Sequence, residues 1–266
     1  MVYRLPVISW AASLQKSFRV MTAKQRIWLA ATVFFVACTP ASPPSSVLAP
    51  EHVTINLQVI AVKFSGKVVP ATPNKRRSAI FMNGAPEHLQ FAFDNDHLSG
   101  AVRYHERQLL LYPINAYREL FGITSREQAR FNKEIKFLQQ LIANSSESFS
   151  EAIPILPPVE TIQLFCSQIR YLNFAEGAGV RFVTRYAMEA SPTTNENIFY
   201  TFQGLTADGK YYISVFYPIT AKGLPATDVI LTTTNFLNQL ASTEFTPDLA
   251  RMDDMIKSLR VVEPLQ

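Results

Sequence analysis

Four histidines and two cysteines are all that this chain of 266 residues offers a transition metal. His52, His88, His97 and His105 form no His-x-x-x-His pair, and neither HExxH nor CxxC occurs. The usual patterns of a zinc hydrolase or a structural zinc site are therefore missing. A GxSxG elbow, a phosphate-cradling glycine loop and a dinucleotide fingerprint are missing too, so no cofactor is implied. No apolar run approaches the roughly 20 residues needed to cross a bilayer as a helix. What remains open is a catalytic site assembled by the fold from common residues.

Acidic residues are absent from the first 37 positions, where Arg4, Lys16, Arg19, Lys24 and Arg26 all lie. The formal net charge of +4 is thus a property of the leader. Taking those five from the 25 basic residues leaves 20 against 21 acidic ones, a net charge near −1. Nothing in that balance calls for a nucleic-acid partner.

What is present begins with "IWLAATVFFVACTP", residues 27–40. Lys24 and Arg26 precede an apolar run from Ile27 to Ala37, of the length found in a secretory signal. Reading from Met21 gives a leader of ordinary proportions. "FVAC", Phe35 to Cys38, resembles the lipobox of bacterial lipoproteins, although Phe35 stands where that family usually has leucine. The resemblance implies cleavage before Cys38, attachment of a diacylglycerol to its thiol, and a palmitate-type anchor on the outer side of the membrane. The same residues also suit an uncleaved anchor or an ordinary secretory signal. On the lipoprotein reading, residues 1–37 are a signal peptide and residues 38–50 a proline- and serine-rich tether. Residues 51–266 are then an extracytoplasmic domain of the cell envelope, with a connector near 144–160 as a candidate boundary between two subdomains.

Within that domain, Val- and Ile-rich residues 52–64 predict a strand, and residues 68–79 a loop. Strands are expected at 88–94 and 107–114 around the turn "NDHLSG". A short helix is expected at 115–122 and a longer one at 125–144, where Phe131, Ile135, Leu138 and Ile142 recur at helical spacing. Arg130, Lys133, Glu134 and Gln140 fall on its other face, which reads as solvated. Strands are expected next at 161–174 and 179–189. The clearest hairpin spans 197–219 around Asp208–Gly209, a pair that accepts positive φ. Two further helices are expected, from Thr227 or Asp228 and from a Thr246 cap with Pro247 at the first helical position. A short strand "LRVV" closes the chain. Strands in runs with interspersed helices predict an α+β fold with a mainly antiparallel sheet, or an α/β/α sandwich. The closing helix and "SLRVV" are similar to the end of domains of the PsbP/Mog1 kind, a likeness that implies such a sandwich used for protein binding.

Three clusters are candidates for chemistry. Asp94, His97 and His105 lie around one turn and, if brought together, would suit an envelope hydrolase; otherwise they form a solvated turn. Asn74 to Arg77, "NKRR", would suit anionic headgroups or a plain exposed loop. Aromatic residues crowd the 197–219 hairpin, and cover on both faces of the sheet would account for them. With one face open, Tyr200 and Tyr211 beside Arg181 and Arg185 would bind a peptide, glycan or small anion. Cys166, between apolar neighbours, reads as a buried core residue. The sequence leaves three function classes: an anchored binding domain for a protein or small ligand, an envelope hydrolase, and a structural envelope component.

Overall fold

A strand that is apolar on both faces must be covered on both sides, and that condition organises this chain. The computed structural model describes residues 53–56, 64–70, 84–93, 106–120, 125–145, 152–158, 161–189 and 191–262. All of them belong to one compact unit, residues 46–266. Strands are β1 Val53–Thr54, β2 Phe64–Val69, β3 His88–Phe93, β4 Gln108–Pro113, β5 Ile162–Phe174, β6 Gly177–Ala187, β7 Phe199–Thr206, β8 Tyr211–Pro218, β9 Thr220–Ala221, β10 Phe245–Thr246 and β11 Arg260–Val261. Helices are α1 Ile114–Leu120, α2 Ser125–Asn144, α3 Ile230–Gln239 and α4 Leu249–Lys257.

Seven strands form one antiparallel sheet in the order β2-β3-β4-β8-β7-β6-β5. Strands on both sides of the 144–160 connector enter this one sheet, joined where β4 pairs with β8. Two small ladders, β1 with β11 and β9 with β10, lie outside it. The fold is α+β with a mainly antiparallel sheet.

Alternation divides the side chains into two cores. Ile213, Val215 and Tyr217 of β8 pack with Tyr200 and Phe202 of β7 beneath α3 and α4, through Leu237, Leu249, Met252 and Ile256. Tyr212 and Phe216 of β8 pack on the opposite face with Phe199 and Leu205 beneath α1 and α2, through Tyr117, Phe131, Ile135 and Leu138. All eight residues of β7 are buried, which explains the aromatic crowding of the hairpin. At its turn Gly209 has φ +70°, and Asp208 Oδ1 accepts the Lys210 amide at 3.0 Å. That is the conformation in which an Asp-Gly pair is favoured.

The connector is part of the second core, since Ile153, Ile155 and Leu156 are buried against it. Two helix starts differ from expectation. Thr246 pairs with Thr220 in the β9–β10 ladder, so the cap of α4 is Asp248, whose carboxylate accepts the Ala250 amide at 2.8 Å. In α3, Thr227 Oγ1 accepts the Val229 amide at 3.1 Å and the helix itself begins at Ile230. Residues 64–69, partly read as loop, form the edge strand β2, with Lys67 exposed. A lysine on an edge strand discourages pairing with another chain.

Candidate functional site

The expected ligand-binding quartet sits on one face of the sheet, and that face is closed. Arg181 is 1% exposed and Tyr200 is fully buried. Arg181 donates through Nε to Asp253 Oδ1 and through Nη2 to Asp253 Oδ2, both at 2.8 Å. Its Nη1 donates to the Gln168 carbonyl. The Tyr200 hydroxyl donates to Asp253 Oδ1 at 3.3 Å, and the Arg181 guanidinium lies 5.9 Å from the Tyr200 ring centre. Arg185 is buried and donates to the Ser191 carbonyl at 2.6 Å and to Thr193 Oγ1 at 3.2 Å. Tyr211 is partly buried against the same core. With α4 laid over them, Arg181 and Tyr200 are bonded to its Asp253 and hold that helix to the sheet.

The other candidates fall differently. Cys38, Asp94, His97, His105 and residues 74–77 lie outside the described residues. Among the described residues no group of three or more His, Cys, Asp or Glu is placed to hold a metal ion. No helix among them is long and apolar enough to cross a membrane. Cys166 is half-buried instead of fully buried; it donates to Gln163 Oε1 at 3.0 Å, and burial pushes its thiol up to about 12, so it stays protonated.

A cavity of about 450 Å³ opens on the α1–α2 side, between α2, the connector and the start of the β5–β6 pair. Its charged wall is one stretch of helix, Arg130, Lys133 and Glu134. Spacings of three and four residues put Lys133 and Glu134 on the same side of α2 as Arg130. Arg130 Nε lies 3.2 Å from Glu134 Oε1. Burial lifts the Glu134 carboxyl above the ordinary carboxylate value, against the pull of Arg130 and Lys133. This wall is the face of α2 that reads as solvated in the sequence.

The opposite wall is apolar and rigid. It is made by Pro154 and Pro158 of the connector, and Phe137 extends the α2 wall one turn beyond Lys133. The connector is fastened by two polar side chains from the sheet. Gln163 Oε1 accepts the Ile153 amide at 3.0 Å, while Gln163 Nε2 donates to the Tyr186 hydroxyl at 2.6 Å. The Tyr212 hydroxyl lies 3.0 Å from the Pro154 carbonyl and 2.8 Å from Gln203 Oε1. From there a buried chain runs on, because Ser214 Oγ donates to Gln203 Oε1 at 3.0 Å and Gln203 Nε2 donates to Thr201 Oγ1 at 2.7 Å. Such satisfied networks rigidify the elements they join. Burial, and then the Glu134 charge, holds the Tyr212 phenol well above its ordinary value, so it remains a hydrogen-bond donor.

A second recess, of about 540 Å³, lies at the C-terminal end of α2 beside the β5–β6 and β7–β8 turns. Among the described residues that line it, the one ionisable side chain is Glu176, whose carboxylate already accepts the Val261 amide at 2.8 Å. The first cavity has the combination that ligand sites share, an apolar wall with a few convergent polar groups. The described residues that line it supply cations and hydrogen-bond donors. The chain matches no family model, no curated protein and no solved structure.

Proposed function

We propose that this protein is a lipid-anchored, non-catalytic binding module of a bacterial cell envelope, and that its ligand enters the cavity between α2 and the connector. The observation that carries the reading is the meeting of Arg130, Lys133 and Glu134 with Phe137, Pro154 and Pro158 around about 450 Å³. That size falls within the roughly 300–1,000 Å³ of small-ligand pockets. The wall is preformed, because Gln163 and Tyr212 fix the connector before any ligand arrives.

The anchor rests on the lipobox-like "FVAC" and on the proline-rich residues after Cys38. Acyl chains contribute about 0.8 kcal/mol per buried CH₂, and two or more hold a protein stably to a bilayer. The tether would then present the domain to ligands at the membrane surface.

Two experiments test the two halves. Labelled palmitate is expected in the protein and not in Cys38→Ser; label retained by the variant contradicts the anchor. Native mass spectrometry of the protein extracted from membranes is expected to show a bound small molecule. Ala152→Trp, at an exposed position on the cavity rim, is expected to lose it. An unliganded wild type, or equal ligand in both proteins, contradicts the cavity.

A further inference from the structure

The two walls of the cavity define the class of molecule it fits, a reading that rests on its being the ligand site. Among the described residues that line it, the charges are all on α2, where Arg130 and Lys133 outnumber Glu134 and Phe137 follows one turn on, while Pro154 and Pro158 of the connector carry no formal charge. A molecule matching both walls has a negative head at one end and a hydrocarbon body. The volume of about 450 Å³ has room for one chain, being near the lower end of the ordinary range.

We propose that this cavity takes a single-chain amphiphile with one anionic head, received by Arg130 and Lys133, its chain lying against Phe137, Pro154 and Pro158. Residues at i and i+3 of a helix stand about 5–6 Å apart at Cβ, so one carboxylate-sized head can reach both cations. An arginine fork suits such a head better than a lone ammonium would.

Glu134 acts as the stand-in for the ligand. Its carboxylate occupies Arg130 at 3.2 Å, the place the incoming head takes. Displaced, it stays partly buried, facing Arg130 and Lys133 from its own helix and the phenols of Tyr186 on β6 and Tyr212 on β8. Its carboxyl is already easier to protonate than usual. Binding of the anion is therefore coupled to uptake of a proton at Glu134, and affinity rises as the pH falls toward the carboxyl's raised value.

Calorimetric titration of the full-length protein in detergent-free nanodiscs tests this with decanesulfonate, which stays ionised throughout, against decanol and decyltrimethylammonium. One decanesulfonate per chain is expected, bound at least about tenfold more tightly than either comparator. Arg130→Gln with Lys133→Gln is expected to remove that preference and leave decanol binding as it was. Glu134→Gln is expected to bind the sulfonate more tightly at neutral pH and to abolish its pH dependence. Equal binding of all three probes, blocked by Ala152→Trp, overturns the anionic class while leaving the cavity as a site. Binding unaffected by Ala152→Trp, or no binding by any probe, overturns the site as well. Titrations with decanoate and with a single-chain anionic phospholipid, compared for affinity, separate a free acid from a membrane lipid as the natural source.

Discussion

Arg181 and Asp253 face each other across the boundary between sheet and helix, each side chain 1% exposed, joined by two hydrogen bonds of 2.8 Å. The pair is a bolt between β6 and α4, and Gln168 extends it. Gln168 has φ 54° in the irregular stretch of β5 between Ser167 and Arg170. That backbone turn lets its carbonyl accept from Arg181, while its side chain donates to the Leu237 and Leu240 carbonyls at 2.6 and 3.0 Å. One irregularity in an edge strand thus fixes both α3 and α4. Removing one partner of a buried ion pair leaves the other uncompensated and costs about 3–5 kcal/mol. Asp253→Ala is expected to lose that much in chemical denaturation and Arg181→Ala less, because Arg170 Nη1 still lies 3.2 Å from Asp253 Oδ2, whereas Arg181→Met with Asp253→Leu loses far less than Asp253→Ala. Single variants as stable as the wild type would contradict the role given to the pair.

Gly179 and Gly204 are opposite one another on β6 and β7, and the Phe202 ring lies over both. A methyl group on Gly179 would meet that ring, the Gln203 carbonyl at 2.5 Å and Gly204 Cα at 2.6 Å. Two of those three contacts are backbone and cannot swing aside. Gly179→Ala is expected to destabilise by about 1–3 kcal/mol, read as a lowered denaturation midpoint. An unchanged midpoint would mean that the two strands are spaced differently.

The Cys166 thiol is expected to be inert in the folded protein. With its value pushed up to about 12, roughly one molecule in ten thousand carries the thiolate at pH 8. In the Cys38→Ser background, a disulfide reagent should modify Cys166 slowly in the native protein and promptly in denaturant. Fast modification of the native protein would contradict the raised thiol value.

Stability should depend on pH through two groups of opposite sign. Burial lowers His88 below its ordinary 6.5, and its Nδ1 contacts the Pro86 carbonyl at 2.8 Å. The unfolded chain therefore binds the proton more readily, so this contribution is intact above 6.5 and is lost as the pH falls through the lowered value. Glu134, raised above 4.5 by burial, contributes fully below that value and progressively less as the pH rises through its folded one. His88→Gln should flatten the acid side of the stability profile between 6.5 and the folded value. Glu134→Gln should raise stability relative to wild type near neutrality. Profiles that coincide with the wild type would contradict both assignments.

Much of the fold can be read directly from side-chain spacing. Phe131, Ile135 and Leu138 of α2, and Leu249, Met252, Ile256 and Leu259 at α4, are all buried as their periodicity predicts. The aromatic hairpin is there with its Asp208–Gly209 turn. Polar residues inside the core are harder to see. Asp253 shares the inner face of α4 with Leu249, Met252 and Ile256, and that spacing was the available clue. An acid is ordinarily taken as solvated, because its burial depends on a partner 72 positions away.

The candidate site was hidden for a related reason. Arg130 and Lys133 are exposed, as a solvated face predicts, and Glu134 is half-buried; nothing local says that residues 152–158 fold back beside them. That return depends on Gln163 of the edge strand β5 and Tyr212 of the central strand β8. Cavities formed by such long-range closure leave no periodic trace in one segment. The burial of Arg181 and Tyr200 has the same origin, since only the placement of α4 closes the face they share.

Occupancy of the α2–connector cavity is the central claim, and a crystal structure of the protein extracted with its bound ligand from native membranes addresses it most directly. Extra density is expected between α2 and residues 152–158, with a head at Arg130 and Lys133 and a narrow body along Phe137. Density seated elsewhere on the domain, with this cavity holding only water, would contradict it.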